Sequence, residues 1–344
     1  MSDIFSGPDG GVAASGGLTD EILTGCVRSA VAAPSLHNSQ PWLFRIADGA
    51  VDVHVDRSRQ LEVLDPLGRE LLISVGAAIF TLRLAIRREG WLPVVALVPD
   101  GDETGRVARV TAGRASAPPP AVEALAAAIE HRHTNRWPFA RSVVPADAIE
   151  QLTSAAEFEG ATLTVASAVG RNAIIGLAQA ADRQLRARGG YRAELARWVG
   201  PGRGRRDGVP PKAIGPWDAL ETTPIRDFGL LQPYHQRATE TFEPYPTIVI
   251  LATKGDSPAA WIRAGQAMQR VLLTATWLNL ATTPISQPVE IPAVRESLTD
   301  TEHDVWAQMI LRIGYGRPAT ATPRRPIADV LLSSSRATDG IRGD

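Results

Sequence analysis

Residues 33–42 read APSLHNSQPW, from Ala33 to Trp42, and close a stretch with helical patterning. Pro34 and Pro41 fix their own φ angles and restrict the residues before them, so the segment is an extended loop leaving a helix. Ser35, Asn38 and Gln40 place hydroxyl and amide groups on that loop, each able to donate and to accept hydrogen bonds. Such a loop suits a neutral heteroaromatic ring with donors and acceptors along its edge. The same pattern also describes a plain proline-punctuated turn.

Working outward, Thr19 caps a helix that opens with Asp20 and Glu21 and runs to about Ala32. Phe44–Ile46 and Val51–Val55 read as strands around an Asp48-Gly49 turn. Glu70–Arg88 is a helix apolar on most faces and therefore a core helix, in which Gly76 admits another backbone or a cofactor at close range. Strands follow at 94–98 and 106–110. Residues 115–120, with three consecutive prolines, read as a linker. The grammar then repeats: helices at 121–131, 145–158, 170–187 and 258–281, with strands at 161–166, 247–252 and 308–313. The reading is an α+β chain of two tandem halves, 18–114 and 121–332, related by duplication. Residues 188–246 form an insertion too long for a simple connection; Trp198, Trp217, Phe228 and Tyr234 in it need something to pack on.

The ends, 1–17 and 333–344, are polar and small-residue-rich and read as disordered tails without a signal peptide. No apolar run is long enough to span a bilayer, so a cytoplasmic chain is expected. A net charge of −1 over 344 residues offers no global field for nucleic acid or an acidic membrane, despite the local Arg203, Arg205 and Arg206. One cysteine, Cys26, excludes an internal disulfide, and the six histidines lack zinc-ligand spacing.

Three further segments carry chemistry. Arg132-His133-Thr134-Asn135-Arg136 sets two guanidiniums around a hydroxyl, a phosphate clamp or merely a charged helix end. Thr283-Pro284-Ile285-Ser286-Gln287-Pro288 is a proline-flanked loop that fixes backbone N–H groups, or a helix-to-strand connection. Arg324-Arg325-Pro326 follows Gly314-Tyr315-Gly316-Arg317-Pro318, and either arginine could complete a phosphate site or be surface charge.

On these residues the chain resembles the nitroreductase family of FMN-dependent oxidoreductases, and within it the fused Acg-type twin nitroreductases of actinobacteria. The resemblance spans about 18–332. APSLHNSQPW resembles the family's APSxxNxQPW loop. Arg132–Arg136 resembles its RxSxR phosphate motif, with Thr134 for serine. Ala281–Pro288 resembles the loop beside flavin N5, with Gln287 where glycine is usual. Gly314–Pro326 resembles its closing pattern, and 188–246 the lid that Acg-type proteins fold over the flavin. The resemblance implies a nitroreductase-like fold and an FMN held by Pro34, Ser35, Asn38, Gln40, Arg132, His133, Thr134, Arg136, Pro284, Ile285, Ser286, Gln287, Arg324 and Arg325. No second RxSxR-like or APSxxN-like stretch occurs, so the halves form one intramolecular pseudo-dimer with one FMN. The implied activity is hydride transfer from NAD(P)H through FMN to a nitroaromatic or quinone-like acceptor, without a protein acid or base. The alternative is an FMN-sequestering protein in which Trp198, Trp217 or Tyr234 closes the ring face.

Overall fold

The computed structural model describes residues 4–5, 17–98, 104–200, 204–220, 222–223, 225–228 and 237–333. Most of the two expected tails, together with Arg203 and Tyr234, lies outside the described residues. Ile4 and Phe5 do not fit an unpacked N-terminal tail. Ile4 is fully buried among Phe80, Leu84 and Val122, and the Phe5 ring meets Phe80 edge-on at 5.8 Å.

Helix α1 (Asp20–Ala30) begins where the Thr19 hydroxyl accepts from the Ile22 N–H. Strands β1 (Trp42–Ala47) and β2 (Ala50–Val55) form a hairpin whose turn residues Asp48 and Gly49 both have positive φ, 53° and 69°. Two-residue hairpins favour that geometry because it matches strand twist. Helix α2 (Arg69–Arg88) follows, then β3 (Trp91–Leu97) and β4 (Arg106–Ala115), giving an antiparallel sheet of order β1-β2-β4-β3. The expected linker reduces to residues 116–119, since Pro120 is already the first residue of α3 (Pro120–Ala128).

The rest of the chain builds α4 (Ala146–Glu157), β5 (Ala161–Val165), α5 (Ala168–Ala187), α6 (Tyr191–Trp198), the short strands β6 (Trp217–Asp218) and β7 (Thr239–Glu240), β8 (Thr247–Lys254), α7 (Pro258–Trp277), β9 (Ala281–Pro284), α8 (Pro292–Glu296) and β10 (Val305–Gly314). A second antiparallel sheet has order β5-β8-β10-β9. Residues 281–284, expected as loop, are thus an edge strand, and Pro284 is tolerated because it ends that edge.

One core runs through both halves and includes α1, α2, α4, α7 and strands of both sheets. At its centre α2 crosses α7 with their backbones in contact. A Cβ on Gly76 would lie 2.2 Å from the Ile262 carbonyl oxygen, and one on Gly265 would lie 2.0 Å from that of Ile73. The close approach foreseen at Gly76 is therefore by a second helix.

The C-terminal segment also reaches across to the first half's sheet. Phe44 of β1 pairs with the C-terminal segment, its N–H donating to Val330 O at 2.7 Å while Leu332 N–H donates to Phe44 O at 2.7 Å. Within the second half, Thr134 bridges Thr282 of β9, and Asn135 N–H donates to Thr282 O at 2.9 Å. No helix among the described residues is long and apolar enough to cross a membrane.

The crossing sets a stability test. Gly76→Ala forces two backbones apart and is expected to cost at least about 1–3 kcal/mol in urea unfolding. Gly25→Ala, in α1 with open space around its Cβ, is expected to be neutral or stabilising by up to about 1 kcal/mol.

Candidate cofactor-binding site

The loop after α1 is strained. His37, Asn38 and Gln40 have φ of 49°, 56° and 53°, left-handed values that non-glycine residues rarely adopt. Polar bonds hold it there. The Ser35 hydroxyl accepts from Gln40 N–H at 2.9 Å. The Asn38 amide donates to Gly208 O and Pro323 O, both at 3.0 Å, and its oxygen accepts from Arg324 at 3.1 Å. Gln40 donates to Arg206 O at 2.9 Å and accepts from Arg325 N–H at 2.8 Å. The amides expected on a ring edge thus stitch the loop to the insertion and the C-terminal segment.

Two adjoining cavities open beside this loop and share Ser35, His37, Thr134 and Arg136. The first is also lined by Pro34, Asn38, Arg132, His133 and Arg324. The second continues between α2 and α7 and is lined by Ile73, Ser74, Met268, Pro284, Ser286 and Met309. Ile225, Arg226 and Phe228 of the insertion lie on its wall. A further cavity of about 340 Å³, lined by Asp182, Arg186, Trp217, Asp227 and Arg237 among others, shares Ile225 with the second.

The first cavity is electrostatically unfinished. Arg132 is 4% exposed; one of its amino groups donates to Ala32 O at 3.3 Å, and its Nε has no partner. Arg324 donates to the same Ala32 oxygen at 3.2 Å and to the Thr322 hydroxyl at 2.6 Å, and its Nε is unpartnered too. Arg136 donates to Ala213 O at 2.7 Å and lies over the Phe228 ring. None of the three has a carboxylate partner among the described residues. Burial, aided by Arg324, pulls Arg132 down to about 9, and burial pulls Arg324 down to about 10. Burial, then Arg226 and Arg237, lower Arg136 to about 10. Burial beside Arg132 and Arg324 holds His133 down at about 4, a neutral ring at pH 7. A buried cation without a counter-charge is costly, so this cluster is stabilised by an incoming anion.

The structure brings Pro34, Ser35, Asn38, Arg132, His133, Thr134, Arg136, Pro284, Ser286 and Arg324 to the paired cavities. Four predicted residues line neither. Gln40 is consumed by the bonds above. Ile285 is buried in another cluster, with its N–H on Ile310 O at 2.9 Å. Gln287 faces the larger cavity. Arg325 turns to Asp56 (3.4 Å), Gln40 O and Asp329 O. Of the aromatics expected over the ring, Trp198 is buried against Leu61 and Leu64 with Arg59 on its ring, and Trp217 lines the larger cavity. Phe228, not among those expected over the ring, lines the second of the paired cavities and meets His37 edge-on at 5.1 Å.

Glu70, His37, Arg226, Met268 and Met309 were not predicted. A glutamate in a first helical turn reads as a dipole partner, and buried methionines read as core filling. No periodic pattern places Arg226.

The sequence model of the Nitroreductase family matches residues 129–315. A Mycobacterium tuberculosis protein provisionally named an NAD(P)H nitroreductase is 34% identical over 311 residues, covering 88% of each chain. The M. tuberculosis protein acg, with a similar provisional name, is 28% identical over 320 residues, covering 91% of this chain and 96% of its own. Among solved structures, a nitroreductase-like family protein from Bacillus cereus is 15% identical at a TM-score of 0.37, covering 63% of this chain and 96% of its own. A nitroreductase with bound FMN from Desulfitobacterium hafniense is 13% identical at a TM-score of 0.37, covering 62% and 98%. The chain belongs to the nitroreductase family and has its α+β fold.

The unpaired guanidiniums predict an anion effect. Inorganic phosphate is expected to raise the thermal unfolding temperature of the cofactor-free wild type and to raise that of Arg132→Ala much less. Equal shifts in a thermal melt would remove Arg132 from the anion site.

Proposed function

We propose that this protein is an FMN-binding oxidoreductase of nitroreductase type, moving hydride from NAD(P)H to a nitroaromatic or quinone-like acceptor. The observation that carries the reading is the cluster of buried Arg132 and part-buried Arg136 and Arg324, none with a carboxylate partner among the described residues, opening onto a slot with apolar walls from α2, α7 and β9. Those residues fit FMN, whose phosphate suits the cluster and whose planar ring suits the slot between Ile73, Met268, Pro284 and Met309. FMN, when bound, supplies the hydride chemistry.

The protein's own residues bind, orient and exclude water. Arg132 and Arg324 hold the phosphate, with Thr134 and Arg136 between the two cavities. Asn38 keeps Arg324 in place. Pro284 and Ser286 border the ring slot from the end of β9. The insertion, 188–246, acts as a lid. It is fastened to the first half by Arg59 on Asp207, by Glu194 accepting from Val63 and Leu64 N–H (2.8 and 2.9 Å), and by Arg188 donating to Val63 O at 2.8 Å.

The two halves act as a pseudo-dimer built by tandem duplication, with one FMN per chain, in a cytoplasmic monomer. Ile73-x-x-Gly76-x-Ala78 in α2 and Ile262-x-x-Gly265-x-Ala267 in α7 support this, since each glycine packs on the other motif's isoleucine carbonyl. A second reading, FMN sequestration, is favoured by Ile225, Arg226 and Phe228 lying across the ring slot.

The purified chain is expected to be yellow with oxidised FMN and to bleach within seconds on anaerobic mixing with NADPH or NADH. Bleaching by dithionite alone would support sequestration, and a colourless chain that cannot be reconstituted would overturn both readings. Arg132→Ala is expected to weaken FMN binding by about 2–5 kcal/mol, roughly thirtyfold or more. Phe228→Ala, by clearing the slot, is expected to accelerate bleaching, read by stopped flow.

A further inference from the structure

Glu70 stands at the N-terminal end of α2 and lines the ring slot, yet it is only 3% exposed. Its Oε1 accepts from Arg69 at 2.8 Å, and its Oε2 has no hydrogen-bond partner. A buried carboxylate oxygen left unbonded is expensive, whereas a neutral acid carries a proton to offer there.

The surroundings favour the neutral form. Four titratable groups act on Glu70: Arg69 beside it, Asp65 from the preceding loop, Glu290 from the turn after β9 and Arg226 from the insertion, which also donates to Tyr191 at the start of α6. Glu290 has its own cation, because Arg226 donates to both its oxygens and also to the Tyr191 hydroxyl at 2.8 Å. Arg69 is shared, donating also to Gln308 O at 2.7 Å and Val289 O at 3.2 Å. Of the two neighbouring glutamates, Glu70 is therefore the weaker-held anion. Burial, with repulsion from Glu290, pushes its carboxyl well above the usual carboxylate range against the pull of Arg69.

We propose that Glu70 is the general acid of the ring slot, donating a proton from Oε2 to the acceptor oxygen. This deepens the oxidoreductase reading and rests on it. Hydride reduction of a quinone breaks a C=O π bond and leaves an oxyanion carrying the two transferred electrons. NAD(P)H is the source of that hydride. The oxyanion takes the proton of Glu70, forming an O–H bond, and the hydroquinone leaves. The Glu70 carboxylate is held meanwhile by Arg69 and regains its proton from water when the slot next opens. In a slot that excludes water, a placed acid contributes on the order of 10²–10⁴ in rate.

The test uses the FMN-loaded chain and Glu70→Gln, which keeps the side chain's size and removes its acidic proton. The flavin is photoreduced and its reoxidation followed anaerobically. With 2-methyl-1,4-naphthoquinone the variant is expected to be about a hundredfold slower. With ferricyanide, which takes electrons without a proton, variant and wild type are expected to match. The wild-type quinone rate falls as pH rises through the Glu70 titration; the variant's stays flat. Glu70→Asp recovers part of the quinone rate. Independently of turnover, the infrared difference between wild type and Glu70→Gln at neutral pH is expected to show the carbonyl band of a protonated carboxylic acid. A wild-type quinone rate in the variant, an equal slowing with ferricyanide, or no acid band would each overturn the proposal. A chain that takes up no FMN would overturn the parent reading instead, and the infrared band would still decide whether Glu70 is the neutral acid.

Discussion

The crossing of Gly76 over Gly265 is the constraint from which the rest follows. Neither α2 nor α7 carries a side chain at its point of contact, so the helix backbones meet directly. Two core helices at that distance join both sheets into one hydrophobic interior. The same crossing brings Glu70, Ile73 and Ser74 of α2 and Met268 of α7 to a common slot. Near it the 330–332 segment joins β1 of the first half, and Thr134, at the start of the second half, joins β9. Those two segments carry the arginines. Arg132 comes to the loop from near the start of the second half, and Arg324 from near its end, both donating to the Ala32 carbonyl.

The site is unfavourable for folding by itself. Three guanidiniums line one cavity with no carboxylate partner among the described residues, and His37 and Gln40 hold left-handed backbone that side chains disfavour. Asn38, Gln40 and Arg325 repay part of that through hydrogen bonds to loop, insertion and C-terminal segment. The remainder is left as positive potential focused on one cavity, which is the physical basis for selecting a phosphate-bearing ligand over a neutral one. The slot beyond it mixes apolar walls, from Leu36, Ile73, Met268, Pro284 and Met309, with polar side chains such as His37, Ser74, Thr134 and Ser286 and the charges around Glu70.

Much of the fold was legible because local signals were strong. The Asp48-Gly49 turn, the Thr19 cap and the apolar run of α2 each depend on neighbouring residues alone. Strand β9 was missed because Pro284 argues against a strand unless the strand is known to be an edge. Helix α6 was hidden in a stretch whose glycines, prolines and arginines mask its short apolar face. In the site, motif residues with fixed spacing were legible, as with Arg132 and Thr134. Roles set by the third dimension were not. Nothing in the sequence distinguishes Arg324, pointing into the cavity, from Arg325, pointing at Asp56. In the sequence Glu70 only begins a core helix; the fold brings Glu290 and Arg226 beside it.

The central claim is a single phosphate-and-ring site formed jointly by two halves of one chain. Its most direct measurement is the flavin content of the reconstituted chain, read by absorbance across its light-scattering peak. The account predicts one FMN per chain in a monomeric peak. Two FMN per chain, or flavin confined to a dimeric species, would contradict it.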